Sequence, residues 1–421
     1  MTTTGRRVCV LGAGIVGCAT AYALARAGWE VSLVDAHGRA GEGASKANGG
    51  QLSYSYVEPL ATPSALRALP GWLVLSDSPL RWRPRAEIAH LRWLAAFIAA
   101  CRWPRVRATT DALLGLSFLG RRVLHGWLDE NPGLADQARH ARPGKLVIFR
   151  KAEARASAER QIGWQRHHGC DQRIVEPDEC IALEPALGAT GGGAIAFGVW
   201  TGDEEVADAA RLAEGLARAS GATLLLGRRA LGFELRAGRV AALRCDDGPI
   251  EADHFVLAGG PAAPELLRPL GMRLPIEAIR GYSVTLPIVD AGAAPRVSIT
   301  DNGRKLVHAR LGDRLRVAGF AELCGPHPAI DPRRIEALLR AVEQTFPGAC
   351  DFSHPQPWAG LRPATPGGRP MLGRSRVSNL WINAGHGALG LTLAPGSAAQ
   401  LAALMSGEAP PLAASLFRVP S

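Results

Sequence analysis

The sequence predicts a mixed α/β fold, α+β overall, from three observations. The N-terminal stretch Arg7 to Asp35 carries an apolar run, a glycine turn, a helical segment and a second apolar run that ends in an acid. From Tyr282 to Phe320 the pattern changes to short alternating apolar segments separated by turns. Near the other terminus a strand-like run, Leu380 to Asn383, again leads through a glycine loop into a helix. Together these describe a Rossmann-like nucleotide domain and a second domain of antiparallel sheet plus helices. The first is expected to be discontinuous, at residues 1–60, 205–270 and 355–421, and the second to comprise 61–204 and 271–354.

Length and composition set the frame. The chain has 421 residues, enough for more than one core, and 47% of them are hydrophobic. No apolar run free of charge is read as long enough to span a membrane. The N-terminus runs directly into the first strand and leaves no room for a signal peptide, so a cytoplasmic protein is expected. Eight cysteines are scattered without a C-x-x-C pair, so neither a zinc ribbon nor a redox dithiol, and no metal, is expected. The formal charge is +10, and of 48 basic residues only Lys46, Lys145, Lys151 and Lys305 are lysines. No nucleic-acid module accompanies the charge, so most arginines are read as solvated surface.

The opening stretch carries the sharpest motif. Val8 to Leu11 reads as a buried strand, Cys18 to Ala27 as a helix and Val31 to Val34 as a strand. Between them Gly12, Gly14 and Gly17 stand at G-x-G-x-x-G spacing. Gly12 permits the tight turn, Gly14 lets a pyrophosphate approach the backbone, and Gly17 lets helix and strand pack closely. The helix N-terminus offers unpaired N–H groups to phosphates. Asp35 lies where a carboxylate can hold a ribose hydroxyl. The fingerprint alone does not separate FAD from NAD.

The loop after Asp35 is rich in Gly, Ser and Asn and lies near the cofactor. Pro59 to Arg107 is mostly helical, broken by prolines, with tryptophans among arginines. Its segment His90 to Cys101 reads either as a helix resting on an anionic membrane surface or as a core helix with arginine ends. Ala108 to Asn131 is an amphipathic helix. Lys145 to Phe149 is a strand, about Glu153 to His168 a helix, and Gly191 to Phe197 a strand. Asp203 and Glu204 open a helix over Val206 to Ser220, acids in its first turn. Thr223 to Leu226, Leu231 to Arg236, Arg239 to Cys245 and His254 to Leu257 are short strands. Ser283 to Pro287, Arg296 to Ile299, Leu306 to Leu311 and Leu315 to Phe320 form a half-buried antiparallel sheet. Asp331 N-caps a helix that starts at Pro332. A Pro/Gly-rich linker leads into WAGLRPATPGGRPMLG, and a helix runs from about Leu391 to Met405. Its preceding loop also fits G-x-G-x-x-G, yet no second βαβ strand follows. One nucleotide fold implies that electrons come directly from the organic substrate.

These motifs, with ASKANGGQLSYSYVEP, RGYSVTLP, RLRVAGFAE and LWINAGHGALGLTLAPGSAAQLAALMSG, resemble the FAD-dependent D-amino acid oxidase superfamily. Within it the chain is most similar to the bacterial D-amino acid dehydrogenases of the small flavoprotein subunit type. The resemblance implies FAD held by Gly12, Gly14, Gly17 and Asp35. It implies that Ser45 and Gln51 approach the pyrophosphate or the flavin, that Ala230 offers backbone to the adenine, and that Ala258 and Gly259 line the cofactor. It places Gly385, Gly387, Gly390 and Thr392 at the flavin pyrimidine, where a helix N-terminus suits the charge that reduction brings. Arg362 matches the arginine that clamps the substrate carboxylate. Tyr282 and Tyr56 match tyrosines near the substrate, with core packing as the competing role, and His386 lies near the flavin or simply completes a turn.

The implied reaction is oxidation of a D-amino acid, hydride passing from Cα to flavin N5, with hydrolysis to a 2-oxo acid and ammonia. The implied acceptor is a quinone or electron-transfer protein, and Trp72 to Arg107 is the candidate for peripheral contact with the inner face of the cell membrane. A glycine- or sarcosine-type amine oxidase, a flavin subunit of a proline or hydroxyproline dehydrogenase and a non-catalytic flavin-binding protein remain open. Gly367, Leu391, Tyr54 and Glu58 depart from the family pattern at the pocket's border, so side-chain preference does not carry over.

Overall fold

A computed structural model describes residues 6–420 apart from 75–77, 190–193, 324 and 328. Six strands form the nucleotide sheet in the order Met371–Arg374, Leu380–Ala384, His254–Leu257, Arg7–Leu11, Glu30–Asp35, Thr223–Leu226. All neighbours are parallel except the first pair. Successive side chains leave a strand on opposite faces. Val8 and Val10 therefore pack with the helices Ile15–Arg26, Ala209–Ala219 and Gly390–Ser406. Cys9 and Leu11 pack on the other face with Phe233 and Leu243 of a three-stranded sheet. Burial on both faces explains the unbroken apolar runs in the sequence.

The second sheet carries the order Gln356–Ala364, Glu277–Pro287, Arg314–Leu323, Leu306–Leu311, Ser298–Asp301, Lys145–Phe149, Phe197–Thr201, Gln172–Val175, with Leu80–Trp82 beside Arg314–Leu323. The four strands expected between Ser283 and Phe320 pair antiparallel, and parallel pairings occur only where Lys145–Phe149 and Leu80–Trp82 join them. Their expected half-burial is corrected, since Arg314–Leu323 is buried over nine of its ten residues. The reason is cover on both sides. Helix Pro332–Thr345 supplies Ile335, Leu338 and Val342 to one face, while the other meets the nucleotide domain, as where Ser283 Oγ donates to Ala47 O at 2.7 Å.

Other boundaries moved for local reasons. Part of the strand expected at Gly191–Phe197 lies outside the described residues, and the described strand is Phe197–Thr201. The helix expected from Val206 starts at Ala209 with Asp208 as its cap, accepting from the N–H groups of Ala210 and Arg211. Glu205 and Val206 instead pair with Gln51 and Leu52 as strands, so no acid occupies that helix's first turn. The segments Gln356–Ala364 and Met371–Arg374, hidden by their Pro/Gly content, are strands. The first bears Pro357 and Pro363 and is tolerated because it lies at a sheet edge. That strand also belongs to the second sheet, although it lies within 355–421. Conversely Leu124 and Trp127, within 61–204, pack in the nucleotide-domain core.

The C-terminal helix corrects another expectation. Gly387–Ser406 is long and apolar enough by composition to cross a membrane, and 67% of its apolar window is buried. A helix apolar all round is what a core position demands. It crosses helix Trp103–Glu130 at two glycines. A Cβ on Gly396 would lie 2.5 Å from Leu116 O, and one on Gly120 would lie 2.8 Å from Thr392 O. Gly396→Val should therefore lose stability by about 1–3 kcal/mol or more, because backbone cannot step aside; denaturant unfolding measures it.

Helix Ile88–Ala100 is a core helix on one face. His90, Trp93, Phe97 and Ala100 face the core. Its outer face is also apolar, with Ile88 69%, Leu91 53% and Ile98 45% exposed, and Trp103 55% exposed just beyond.

Candidate active site

A cavity of about 1370 Å³ runs between the nucleotide sheet and the second sheet. One end is the glycine turn. Gly12 has φ +108°, and a Cβ there would sit 2.5 Å from Ala258 O. A Cβ on Gly17 would fall 1.7 Å from Gly12 O, so Gly17 serves helix–strand contact and does not line the cavity. Gly14 does line it, and its missing Cβ would meet only Ser45 Oγ at 3.5 Å. Ser45 Oγ in turn accepts from Ile15 N at 2.9 Å, at the start of the helix. Asp35 braces the turn by accepting from Ala13 N at 2.7 Å, and its other oxygen accepts from His37 N at 2.8 Å. Ala258 and Gly259 line the same end. An open glycine floor, a helix N-terminus and an acid at the strand end fit the ADP half of FAD. Ala230 does not line the cavity; it begins a strand of the three-stranded sheet, and Arg228 N is the group that reaches Asp35 O, at 2.9 Å.

At the other end lie Gly385, His386, Gly387, Gly390 and Thr392. Gly385 (φ +88°) and Gly387 (φ +57°) make the turn that only glycine adopts freely. Thr392 Oγ1 accepts from Ser53 N at 3.1 Å, tying the helix start to the loop after Gly50. His386 is buried and its Nε2 meets Ser397 Oγ at 3.1 Å. Burial pushes its pKa down to about 3, so it is a neutral ring completing a turn and not a proton acceptor at neutral pH.

Arg362 reaches the cavity from the edge strand Gln356–Ala364. Its Nη1 donates to Phe320 O at 2.8 Å, and among the described residues no carboxylate pairs with it. Burial alone pushes its pKa down to about 10. It stays charged at neutral pH, with N–H donors to spare. Tyr282 lines the cavity with its ring, while its hydroxyl donates to Glu322 Oε2 at 2.9 Å. Glu322 also accepts from Arg280 and Arg334, which hold its carboxyl below the usual range against the effect of burial. The hydroxyl of Tyr282 is thus committed to the core. Gln51 lines the cavity and sutures the loop to the sheet, donating to Ser298 Oγ at 2.6 Å. Tyr56 also lines it; burial pushes its phenol up to about 12.

Lys145 was not singled out by the sequence. Its Nζ sits 4.6 Å from the Tyr56 ring centroid and donates to Ser53 Oγ at 2.7 Å. Burial pushes its pKa down and pushes that of Glu204 up, each opposed by the other's charge. The available signal was compositional, since lysine is rare in this chain. Gly281 and Phe320 were missed as well, because nothing in the sequence sets them beside Arg362.

Outside the cavity His125, His140 and Glu205 bring ligand atoms within 4.8 Å of one another. Both Glu205 oxygens are already engaged, by His125 at 2.6 Å, His140 at 2.8 Å and Tyr54 at 2.9 Å, so the group is a hydrogen-bonded latch. His308 is likewise buried, its pKa pushed down to about 4. His308 and His386 are therefore neutral when folded and take up protons only on unfolding as pH falls below 6.5. Stability should fall by about 1.4 kcal/mol per pH unit for each, from pH 6.5 down to their folded values. Denaturant unfolding between about pH 7 and about pH 5, a range that spans the ordinary histidine value, checks it, and His308→Leu should flatten the slope.

The profile of the family described as FAD dependent oxidoreductase (DAO) matches residues 7–404. The chain is 46% identical over 423 residues to D-amino acid dehydrogenase 2 of Ralstonia nicotianae, covering 98% of this chain and 99% of the relative. It is 44% identical to D-amino acid dehydrogenase 2 of Pseudomonas aeruginosa, covering 96% of each. Among solved structures, glycine oxidase from Geobacillus kaustophilus superposes with TM-score 0.75 at 18% identity over 99% of both chains. L-proline dehydrogenase from P. horikoshii superposes with TM-score 0.71 at 17% identity over 96% of this chain and 94% of its own. At such identities these structures show the fold.

Proposed function

The chain belongs to the DAO family of FAD-dependent oxidoreductases, and from that membership we propose that it oxidises D-amino acids to 2-oxo acids and ammonia. The observation that carries the substrate class is Arg362, a buried guanidinium in the cavity with no carboxylate partner among the described residues. A substrate α-carboxylate supplies the missing counter-charge through paired hydrogen bonds. The D configuration is supported by the names of the relatives.

Bound FAD would supply the two-electron acceptor, held by the glycine turn and by the Gly385–Thr392 loop. The substrate's Cα–H bond breaks with its electron pair leaving as hydride, its neutral amine becomes an iminium, and water converts the iminium to the 2-oxo acid with release of ammonium. The chain's part is positional. Arg362 fixes the carboxylate, so Cα has one placement, and such fixing supplies several kcal/mol, about 7–11 at best. No side chain is needed as base, since the amine reacts once deprotonated, so kcat/KM should rise with pH. Anaerobic mixing with D- and L-amino acids and N-methyl amines tests the reading. Bleaching of the flavin by D-amino acids is expected; bleaching by L-amino acids alone overturns it, and peroxide formation in air would mark an oxidase.

The acceptor is read as a membrane quinone. The exposed apolar face of helix Ile88–Ala100, bordered by Arg92, Arg102 and Arg105, supports a surface that rests on anionic lipid. Leu91→Glu with Ile98→Glu should abolish flotation with anionic vesicles, and wild-type protein that fails to float would remove this part of the proposal.

A further inference from the structure

Arg362 is aimed by its neighbours' backbone. Strands Glu277–Pro287 and Arg314–Leu323 pair Arg280 with Glu322 but Tyr282 with Gly319. Two residues, Phe320 and Ala321, therefore stand opposite Gly281, which is a β-bulge. The bulge puts Phe320 at φ +59°, a conformation that L side chains avoid. Its ring is held edge-on to Tyr282 and beneath the Arg334 guanidinium, 4.7 Å from its centroid. Surroundings that lock a strained residue in this way are a mark of function. What the strain delivers is a carbonyl, Phe320 O, turned to Arg362 Nη1 at 2.8 Å.

The residue opposite the bulge completes the arrangement. Gly281 has no positive φ, so its backbone does not require glycine. A Cβ there would lie 2.3 Å from Arg362 Nη2 and 2.5 Å from its Cζ, and those guanidinium atoms are the obstruction. Gly281 is a floor on which the guanidinium plane lies, and Phe320 O pins one corner. We propose that Gly281 and the Phe320 carbonyl are positioning elements that hold the Arg362 guanidinium ready for a substrate carboxylate before substrate arrives. This rests on the reading of Arg362 as the carboxylate clamp. Pre-setting the rotamer removes the ordering of a long side chain from the binding step.

Gly281→Ala is the direct test, because the added methyl meets only the end of a flexible side chain and the fold can accept it. The probe is 2-methylalanine, an amino acid without a Cα hydrogen, which binds without being oxidised; its Kd is read from perturbation of the holoenzyme's visible flavin spectrum. Gly281→Ala should raise that Kd about tenfold or more, with the thermal midpoint and FAD content of the holoenzyme unchanged. In D-amino acid turnover KM should rise more than kcat falls. Against an Arg362→Lys background the same change should do nothing further, since an ammonium has no plane to rest on Gly281. Phe320→Gly, which keeps the bulge conformation accessible but unlocks it, should also raise Kd. A wild-type Kd in Gly281→Ala overturns the proposal, as does a loss of thermal stability that matches the loss of binding. A wild-type Kd in Arg362→Lys and Arg362→Ala instead overturns the clamp itself.

Discussion

Arg362→Ala is expected to lower kcat/KM for D-amino acids by about 10²- to 10⁴-fold while the protein keeps its FAD. The magnitude follows from losing two hydrogen bonds to a charged group, each contributing about 1.5–3 kcal/mol. Arg362→Lys should recover little of it, because a single ammonium cannot reproduce the planar fork. The same variants carry a second signature. In wild-type protein the guanidinium is buried, pushed down to about pKa 10, and bonded to Phe320 O without a carboxylate partner among the described residues. Holding it there opposes folding. Arg362→Met should therefore raise the thermal midpoint of the substrate-free holoenzyme, by an amount equivalent to about 1–3 kcal/mol. Adding 2-methylalanine should raise the midpoint of the wild type and not of the variant. A merely structural arginine would behave in the opposite way, losing stability on removal and leaving substrate affinity intact. Steady-state kinetics beside thermal unfolding decides between the two.

The two ends of the cavity were legible in the sequence to different depths. Gly12, Gly14, Gly17 and Asp35 could be placed from spacing because strand, turn, helix and strand are local, and each glycine's role is fixed within a few residues of chain. The structure adds that Asp35 also braces the turn through Ala13 N. Arg362 was reached only through resemblance. Its strand carries prolines and glycines that read as a linker, and it becomes a strand by adding to an edge, a long-range event that local pattern does not report. The residues whose backbone serves it were not legible at all. Gly281 and Phe320 lie 81 and 42 residues from Arg362 in sequence and meet it only through a two-against-one register in the sheet. Asp203 and Glu204 failed for a related reason. Acids ahead of an apolar helix suggest a first turn, but here they begin no helix; Glu204 is buried near Lys145, and the following Glu205 is latched by two histidines. Tyr282 joins the two roles weighed for it, lining the cavity while its hydroxyl donates to Glu322 in the core.

Gly17→Ala and Gly14→Ala separate fold from cofactor at the glycine turn. A Cβ on Gly17 would lie 1.7 Å from Gly12 O and 2.8 Å from Gly12 C, so it strikes backbone at the root of the turn. Relief requires helix Ile15–Arg26 to lift from strand Arg7–Leu11, which opens the core between Val8, Val10 and Cys18. Overpacking against flexible neighbours costs about 1–3 kcal/mol, and a backbone clash exceeds that. Since domain stability is only about 5–15 kcal/mol, Gly17→Ala is expected to give little soluble protein, and what is soluble should unfold at a lower temperature even without FAD. Gly14 is different. Its Cβ would touch only Ser45 Oγ at 3.5 Å, an ordinary contact, and it projects into the cavity. The apoprotein of Gly14→Ala should therefore unfold like wild type, while its affinity for FAD falls by about 10²-fold or more, because the methyl stands where the pyrophosphate must approach. Fluorescence titration of the two apoproteins with FAD, beside their thermal unfolding, measures both effects. If Gly14→Ala binds FAD as wild type does, the pyrophosphate does not lie over this turn, and the assignment of the cavity's two ends must be reversed or abandoned. If it does not, the clash at Gly17 and the gap at Gly14 divide one motif into a part that builds the sheet and a part that holds the cofactor.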